Sequence, residues 1–424
     1  MRQWMVAAKK ADFYAIAEKF HVDPVVARII RNREVIGEKN IRIYLGGNLS
    51  DLSDPHQMKD MDRLVEILAQ KIRKQVHIRI IGDYDVDGVT SSHLFLTALR
   101  RVGAKVDVVI PHRIQDGYGL SLHLLQQAKE DGVDTILTCD NGIAAIDEIA
   151  WAKAQKMTVL VTDHHAVPFE EHEGRRTEKK SLADAVVNPH QQDCGYPYKE
   201  LCGAGVAWNV IRVLYENYDM DKREAEDLLD FVAMATVCDV MSLTGENRIL
   251  VKEGLKRIRH TKNIGLQALM QACNVQPENI SAYHFGYVLG PCVNATGRLD
   301  TARHALRLFE TGQETEAEEI ARDLVDLNQE RKELTLQGVE MAKKLCEEGG
   351  YENDPVLVLF LPDVHESIAG LIAGRIREMY NRPVFVLTRG EEGVKGSGRS
   401  TENYSMYENM CGCAELFTKF GGHP

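Results

Sequence analysis

The chain is short of several things, and each absence removes a class of protein. No apolar run approaches the ~18–20 residues that a membrane span needs, so no membrane partner is expected. The opening Met1-Arg2-Gln3-Trp4-Met5 lacks the basic flank, apolar run and small-residue cleavage site of a secretory signal. Nine cysteines are scattered over 424 residues with no CxxC pair, and Cys411-Gly412-Cys413 is the only close spacing. That pattern disfavours a zinc finger or a disulfide framework and fits a reducing cytoplasm. There is no internal repeat and no long low-complexity stretch. Basic charge is also in deficit: 51 Lys+Arg face 63 Asp+Glu, for a net −12. Taken alone, that balance argues against a nucleic-acid partner.

What is present is ordinary for a globular protein: 44% hydrophobic and 27% charged residues, with length for two or three domains. Residues 1–54 read as a helical lead-in, where Asp23-Pro24 suits a helix start because proline fits the first helical position. From 55 to 310, β-branched runs alternate with amphipathic segments. Strands are expected at 77–81, 106–110, 135–138, 158–161 and 185–187, with helices over 90–101, 120–130 and 144–155 and through most of 203–275. This alternation predicts an α/β fold with a mostly parallel sheet. Residues 311–350 form a polar helical stretch of net −6, expected as a solvated connecting helix. A second α/β unit follows over 351–424, with strands at 356–361 and 384–387 and a helix at 367–380. The chain then stops at Gly421-Gly422-His423-Pro424, and the expectation is that this unit is incomplete.

The most informative segment is Gly82-Asp83-Tyr84-Asp85-Val86-Asp87-Gly88, directly after the first strand. Carboxylates at i, i+2 and i+4 on an extended backbone point to one side. They stand at the C-terminal end of a strand, where open α/β sheets place ligands. Three such anions repel one another, so a divalent cation is the natural neutraliser. Two simpler readings compete. An EF-hand loop would need a preceding helix and a Glu at position twelve, where Leu94 stands; a solvated acidic turn needs nothing else. Two further strand ends carry similar chemistry: Asp140-Asn141-Gly142 and Asp163-His164-His165. Each alone reads as a turn or a satisfied core group, but their recurrence at one sheet edge points to a metal. Imidazole with carboxylates suits Mn²⁺ or Mg²⁺ rather than a soft ion. Asp239, in the apolar run Ala235–Met241, is either a further ligand or an ion-paired structural acid.

In this order and spacing, these motifs resemble the DHH phosphoesterases, and within them the single-strand-specific 5′→3′ DNA exonucleases. Asn188-Pro189-His190, Gly203–Trp208, Asn294–Leu299, Gly396–Ser400 and Gly421-Gly422-His423 extend the match from about residue 20 to the end. The resemblance implies a DHH-type doubly wound parallel sheet domain joined by a long helix to a second, incomplete α/β domain. It implies two ions, Mn²⁺ or Mg²⁺: one served by Asp83, Asp85 and Asp140, the other by Asp87, Asp140, His164 and Asp239, with Asp140 bridging. His165 would face the scissile phosphate and Asp163 would orient the imidazoles. Arg298, Ser397 and Arg399, with His423 beside them, would hold a 5′-terminal phosphate. Without the family, Gly396–Arg399 reads as a flexible surface turn. The 375–399 stretch is net +3, a basic wall for one strand. The implied partners are the 5′ end of single-stranded DNA, a single-strand-binding protein and a helicase, in repair and recombination. The nearest rival is a relative cleaving short oligoribonucleotides or cyclic dinucleotides, but those have a shorter link between domains. An inorganic pyrophosphatase is disfavoured by the size and by the Ser397/Arg399 segment.

Overall fold

In the computed structural model, residues 9–113, 116–117, 119–172, 175–351, 354–390 and 393–418 are described. The chain divides into two compact units, the first ending at Gly297 and resuming over Thr301–Arg322. The second comprises Arg298–Asp300 and everything from Asp323 onward.

The first unit is built on a parallel sheet of β1 (Ile78–Ile81), β2 (Val106–Val109), β3 (Thr135–Cys139), β4 (Thr158–Thr162) and, last in the order, β7 (Ala185–Val187). A separate hairpin, β5 (Phe169–His172) and β6 (Arg175–Glu178), lies between β4 and β7 in the chain. The sheet order is β2-β1-β3-β4-β7, the doubly wound arrangement, with β1 at the point where the chain reverses direction across the sheet. Every residue of β1 and β3 is buried, as a sheet covered on both faces requires. The loops after β1, β3 and β4 therefore emerge at one edge, carrying Asp83, Asp140 and His164.

Two local differences from the sequence expectation bear on the site. The helix after β1 begins at Val86, not Thr90. Asp85 caps it by accepting the Gly88 N–H at 3.0 Å, and Asp87 sits in its first turn. The three carboxylates therefore converge through a strand-to-helix turn rather than by alternation along extended backbone. Asp239 is the residue that ends the Leu229–Cys238 helix, not a member of it.

The helix Glu314–Gly349 runs 36 residues, and the boundary between units falls inside it. It is more than a solvated link. Ala317, Ile320 and Ala321 are buried in the first unit, while Val339, Ala342 and Cys346 join the core of the second. That core also holds Leu357, Leu359, Ile372, Ala373, Ile376 and Val386.

The second unit's sheet has β8 (Leu357–Phe360) parallel to β9 (Val384–Gly390), which pairs antiparallel with β10 (Gly393–Arg399). The 396–399 segment is thus a strand rather than a turn. Its glycines make the pairing possible: a Cβ on Gly396 would come 2.5 Å from Leu387 Cδ2, and one on Gly398 2.8 Å from Phe385.

Candidate metal centre

Seven side chains from four segments of the first unit meet at the sheet edge. The Nε2 of His164 lies 3.1 Å from Asp140 Oδ1, 3.6 Å from Asp239 Oδ2 and 3.7 Å from Asp87 Oδ2. Two triads, Asp83/Asp85/Asp140 and Asp87/His164/Asp239, each bring one atom per residue within 4.8 Å of the others. A third, Asp140/His164/His165, overlaps both in composition. Asp140 thus stands in the first and third groups, while His164 joins the second and third.

Backbone groups fix part of this ligand set. The Asp87 carboxylate accepts the N–H groups of Gly203 (2.6 Å) and Ala204 (2.8 Å), the first residues of the Gly203–Asn217 helix. A helix N-terminus holds a carboxylate well, because its leading N–H groups lack partners within the helix. The approach requires glycine: a Cβ on Gly203 would sit 2.7 Å from the Cβ of Asp140. Asp140 itself adopts φ +61°, a left-handed conformation rare for a residue with a side chain. Its neighbour Asn141 ties the strand ends together, donating from Nδ2 to the carbonyls of Ile81 (3.1 Å) and Cys139 (2.9 Å). The Oδ1 of Asn294 accepts the Val86 N–H at 3.1 Å, bracing the turn between Asp85 and Asp87.

Asp163 is the hub of the histidine pair. Its Oδ1 accepts from the backbone of His164 (2.7 Å) and His165 (3.1 Å) and from His165 Nδ1 (2.7 Å). Its Oδ2 accepts the Ile143 N–H at 2.9 Å. Burial opposes its charge, but these bonds prevail and hold its pKa below the usual value. For His165, burial works against protonation, yet the Asp163 partner wins and lifts the imidazole to about 9. Asn188 Nδ2 donates to the His165 carbonyl at 2.9 Å, fixing the same loop.

The cluster is electrostatically unsatisfied by protein alone. Burial, then the neighbouring Asp85, pushes Asp83 well above the carboxylate range; burial, then Asp87, does the same for Asp140. Asp239 rises to about 8 for the same reasons. Asp83 Oδ1, Asp239 Oδ2 and His164 Nε2 are buried and make no hydrogen bond. Atoms left so at the mouth of a sheet, oxygen in majority with one imidazole, fit a hard divalent cation. The nearby Cys139 thiol stays protonated, since burial pushes it up to about 12, so the donor set remains hard.

One feature of this edge, Arg113, escapes a reading of the motifs, and His190, from the Asn188-Pro189-His190 motif, joins the site. Arg113, beyond the end of β2, lays its guanidinium 4.4 Å from the Tyr84 ring centroid, beside the acidic turn. Its signal was its place four residues past Val109, at the same sheet edge. His190, whose pKa burial lowers, is within the electrostatic reach of His164.

In the second unit, Arg298, Ser397 and Arg399 gather around the start of the Ala369–Tyr380 helix. Arg298 Nη1 donates to the Ser367 carbonyl at 2.8 Å. A Cβ on Gly370 would lie 2.9 Å from Arg399 Nη2 and 3.4 Å from Ser397 Oγ. Ser397 and Arg399, two apart on β10, share one face of the strand. His423 lies outside the described residues.

Comparison with known proteins agrees with this division. Residues 77–236 match the DHH family N-terminal domain, and residues 353–424 match the DHHA1 domain. The single-stranded-DNA-specific exonuclease RecJ of Haemophilus influenzae is 35% identical over 418 residues, covering 94% of this chain and 70% of that protein. The Bacillus subtilis protein of the same name is 33% identical over 97% of this chain and 50% of its own length. A crystal structure of exonuclease RecJ bound to manganese superposes with a TM-score of 0.73 at 32% identity, covering 86% of this chain and 88% of that one. The RecJ of Thermus thermophilus in complex with Mg²⁺ gives 0.74 at 28% identity, covering 97% and 54%.

Proposed function

Because this chain belongs to the RecJ family, we propose that it is a metal-dependent exonuclease that hydrolyses single-stranded DNA from the 5′ end. The observation that carries the reading is the set of buried, unsatisfied carboxylate and imidazole atoms at one sheet edge. Asp83, Asp85 and Asp140 would hold one divalent ion, and Asp87, His164 and Asp239, with Asp140, the other. When bound, Mn²⁺ or Mg²⁺ ions supply charge neutralisation for the phosphodiester and a nucleophile formed near neutral pH. The chain's own residues do the rest. Asp87 is held by two backbone N–H groups, so its free lone pairs stay aimed into the cluster. His165, hydrogen-bonded through Nδ1 to Asp163, would face the scissile phosphate and offer a proton to it or to its leaving oxygen.

In the second unit, Arg298, Ser397 and Arg399 are suited to a terminal phosphate, since a planar guanidinium binds phosphate in a bidentate manner. That pocket supplies the 5′ polarity. The finer partners follow from the substrate: single strands in a cell arise by unwinding, so a helicase and a single-strand-binding protein belong to the same proposal, as does a cytoplasmic location. Among the described residues no helix is long and apolar enough to cross a membrane. The test is degradation of a 3′-labelled single strand with Mn²⁺. Mononucleotides should leave from the 5′ end and EDTA should stop the reaction; undiminished activity in EDTA would sink the metal assignment, and release from the labelled end would sink the polarity.

A further inference from the structure

Residues 282–299 form one continuous helical path interrupted by a π-turn, Phe285–Leu289, between Ala282–His284 and Gly290–Leu299. Single π-turns inside helices are rare and gather at functional sites. The start of the path is locked, because the Ser281 N–H and hydroxyl both bond His284 Nδ1, at 3.1 and 3.0 Å. The turn is seated on the helix that leads to Asp239. The Cys238 thiol donates to the Phe285 carbonyl at 3.3 Å, and a Cβ on Gly290 would lie 2.4 Å from that sulfur. Further along, the same path delivers Asn294 to the Val86 N–H, between two of the candidate ligands. Tyr287 precedes Asn294 by seven residues, about 10 Å of helix.

On the outer side of this π-turn stand Tyr283 and Tyr287, 62% and 73% exposed. Their rings stack on each other, with centroids 5.1 Å apart and planes 25° apart, and His284 meets Tyr283 edge-on at 5.7 Å. Two large rings are thus preordered in water on a π-turn that packs against Cys238, the residue before Asp239. An exposed aromatic face offers a nucleobase a stacking surface that a phosphate cannot use.

We propose that the Tyr283–Tyr287 pair is a stacking platform for one base of the single strand whose backbone enters the metal centre. This rests on the exonuclease reading above. Stacking is tolerant of sequence, because every base has a π-face, so the platform adds affinity without base preference. The same helical path meets Cys238, next to Asp239, and the Val86 turn, so a base held on the pair would fix the strand's distance from the reacting phosphate.

The experiment compares wild type, Y283A/Y287A and Y283F/Y287F on oligothymidylate and on the same strand with a single abasic site moved through its first nucleotides, in Mn²⁺. The alanine pair should raise KM for the intact strand about tenfold with kcat unchanged, and the phenylalanine pair should restore it. Wild type should lose the same factor at one abasic position, and the alanine pair should lose nothing further there. An unchanged KM, a loss confined to kcat, or an equal loss on intact and abasic strands would overturn the platform while leaving the exonuclease reading intact. Failure of wild type to release nucleotides from any single strand would overturn both.

Discussion

The two units handle charge in opposite ways. The first unit buries most of its clustered carboxylates, braces Asp85, Asp87 and Asp163 with backbone hydrogen bonds and leaves selected atoms unsatisfied. The second keeps its key cation, Arg399, exposed on a strand edge, with Arg298 only partly buried. The contrast follows from what each is suited to do. Like charges in a low dielectric repel strongly, so a buried acidic cluster is held at a cost that a cation releases. A guanidinium kept in water at the end of a long, flexible stem costs little to hold and can follow a mobile phosphate. Precision belongs to the first unit and adaptability to the second.

Substitutions at five residues should break or sharpen that contrast. The largest effect belongs to the buried cluster: Asp140→Ala or His164→Ala should lower kcat on single-stranded DNA by about 10³-fold or more in saturating Mn²⁺. Nucleotide release with kcat retained within a factor of about ten would show the cluster to be structural. Next, Asp163→Asn cannot accept all four bonds that Asp163 takes. Activity should fall about 10–100-fold, with a shifted pH–rate profile as His165 loses its anionic partner; an unaltered profile would remove Asp163 from the positioning of His165. Arg399→Ala is expected to act on KM instead. The preference for a 5′-phosphorylated over a 5′-hydroxyl strand should drop about tenfold, with Arg399→Lys restoring part of it, and an unchanged preference would refute the pocket.

The smallest effect concerns stability without metal. The folded pKa of Asp239, about 8, lies above its ordinary 3.8. The folded chain therefore keeps a proton that the unfolded chain gives up, and stability present at low pH is lost as pH rises through about 8. In EDTA, melting temperature should fall from pH 5 to pH 8, and Asp239→Asn should recover about 1 kcal/mol at the upper end. Arg399→Ala should leave that curve untouched. A flat curve for wild type would mean the cluster stores no repulsion.

Much of this is legible in the sequence, and the reason is local. The β-branched runs at 78–81, 135–139 and 158–162 announce buried parallel strands, and an acid or histidine after each announces a shared edge. What stays hidden is partnership at a distance. Nothing near Asp87 reveals that residues 203 and 204 will clasp it, or that Asn294 will cap the helix that Asp85 begins. Periodicity reports that a face is covered, not which segment covers it. The β10 strand escapes a sequence reading because its glycines mimic a turn, and the π-turn because a single inserted residue leaves no compositional trace.

Asp163 has a consequence for divergence. Its four hydrogen bonds hold the loops after β3 and β4 in place, and none of them depends on a cation. A descendant that abandoned hydrolysis could exchange Asp140 or His164 and relieve repulsion, yet exchanging Asp163 would unpin the backbone. In silent lineages of this fold, then, the first letter of the Asp-His-His triplet should outlive the second.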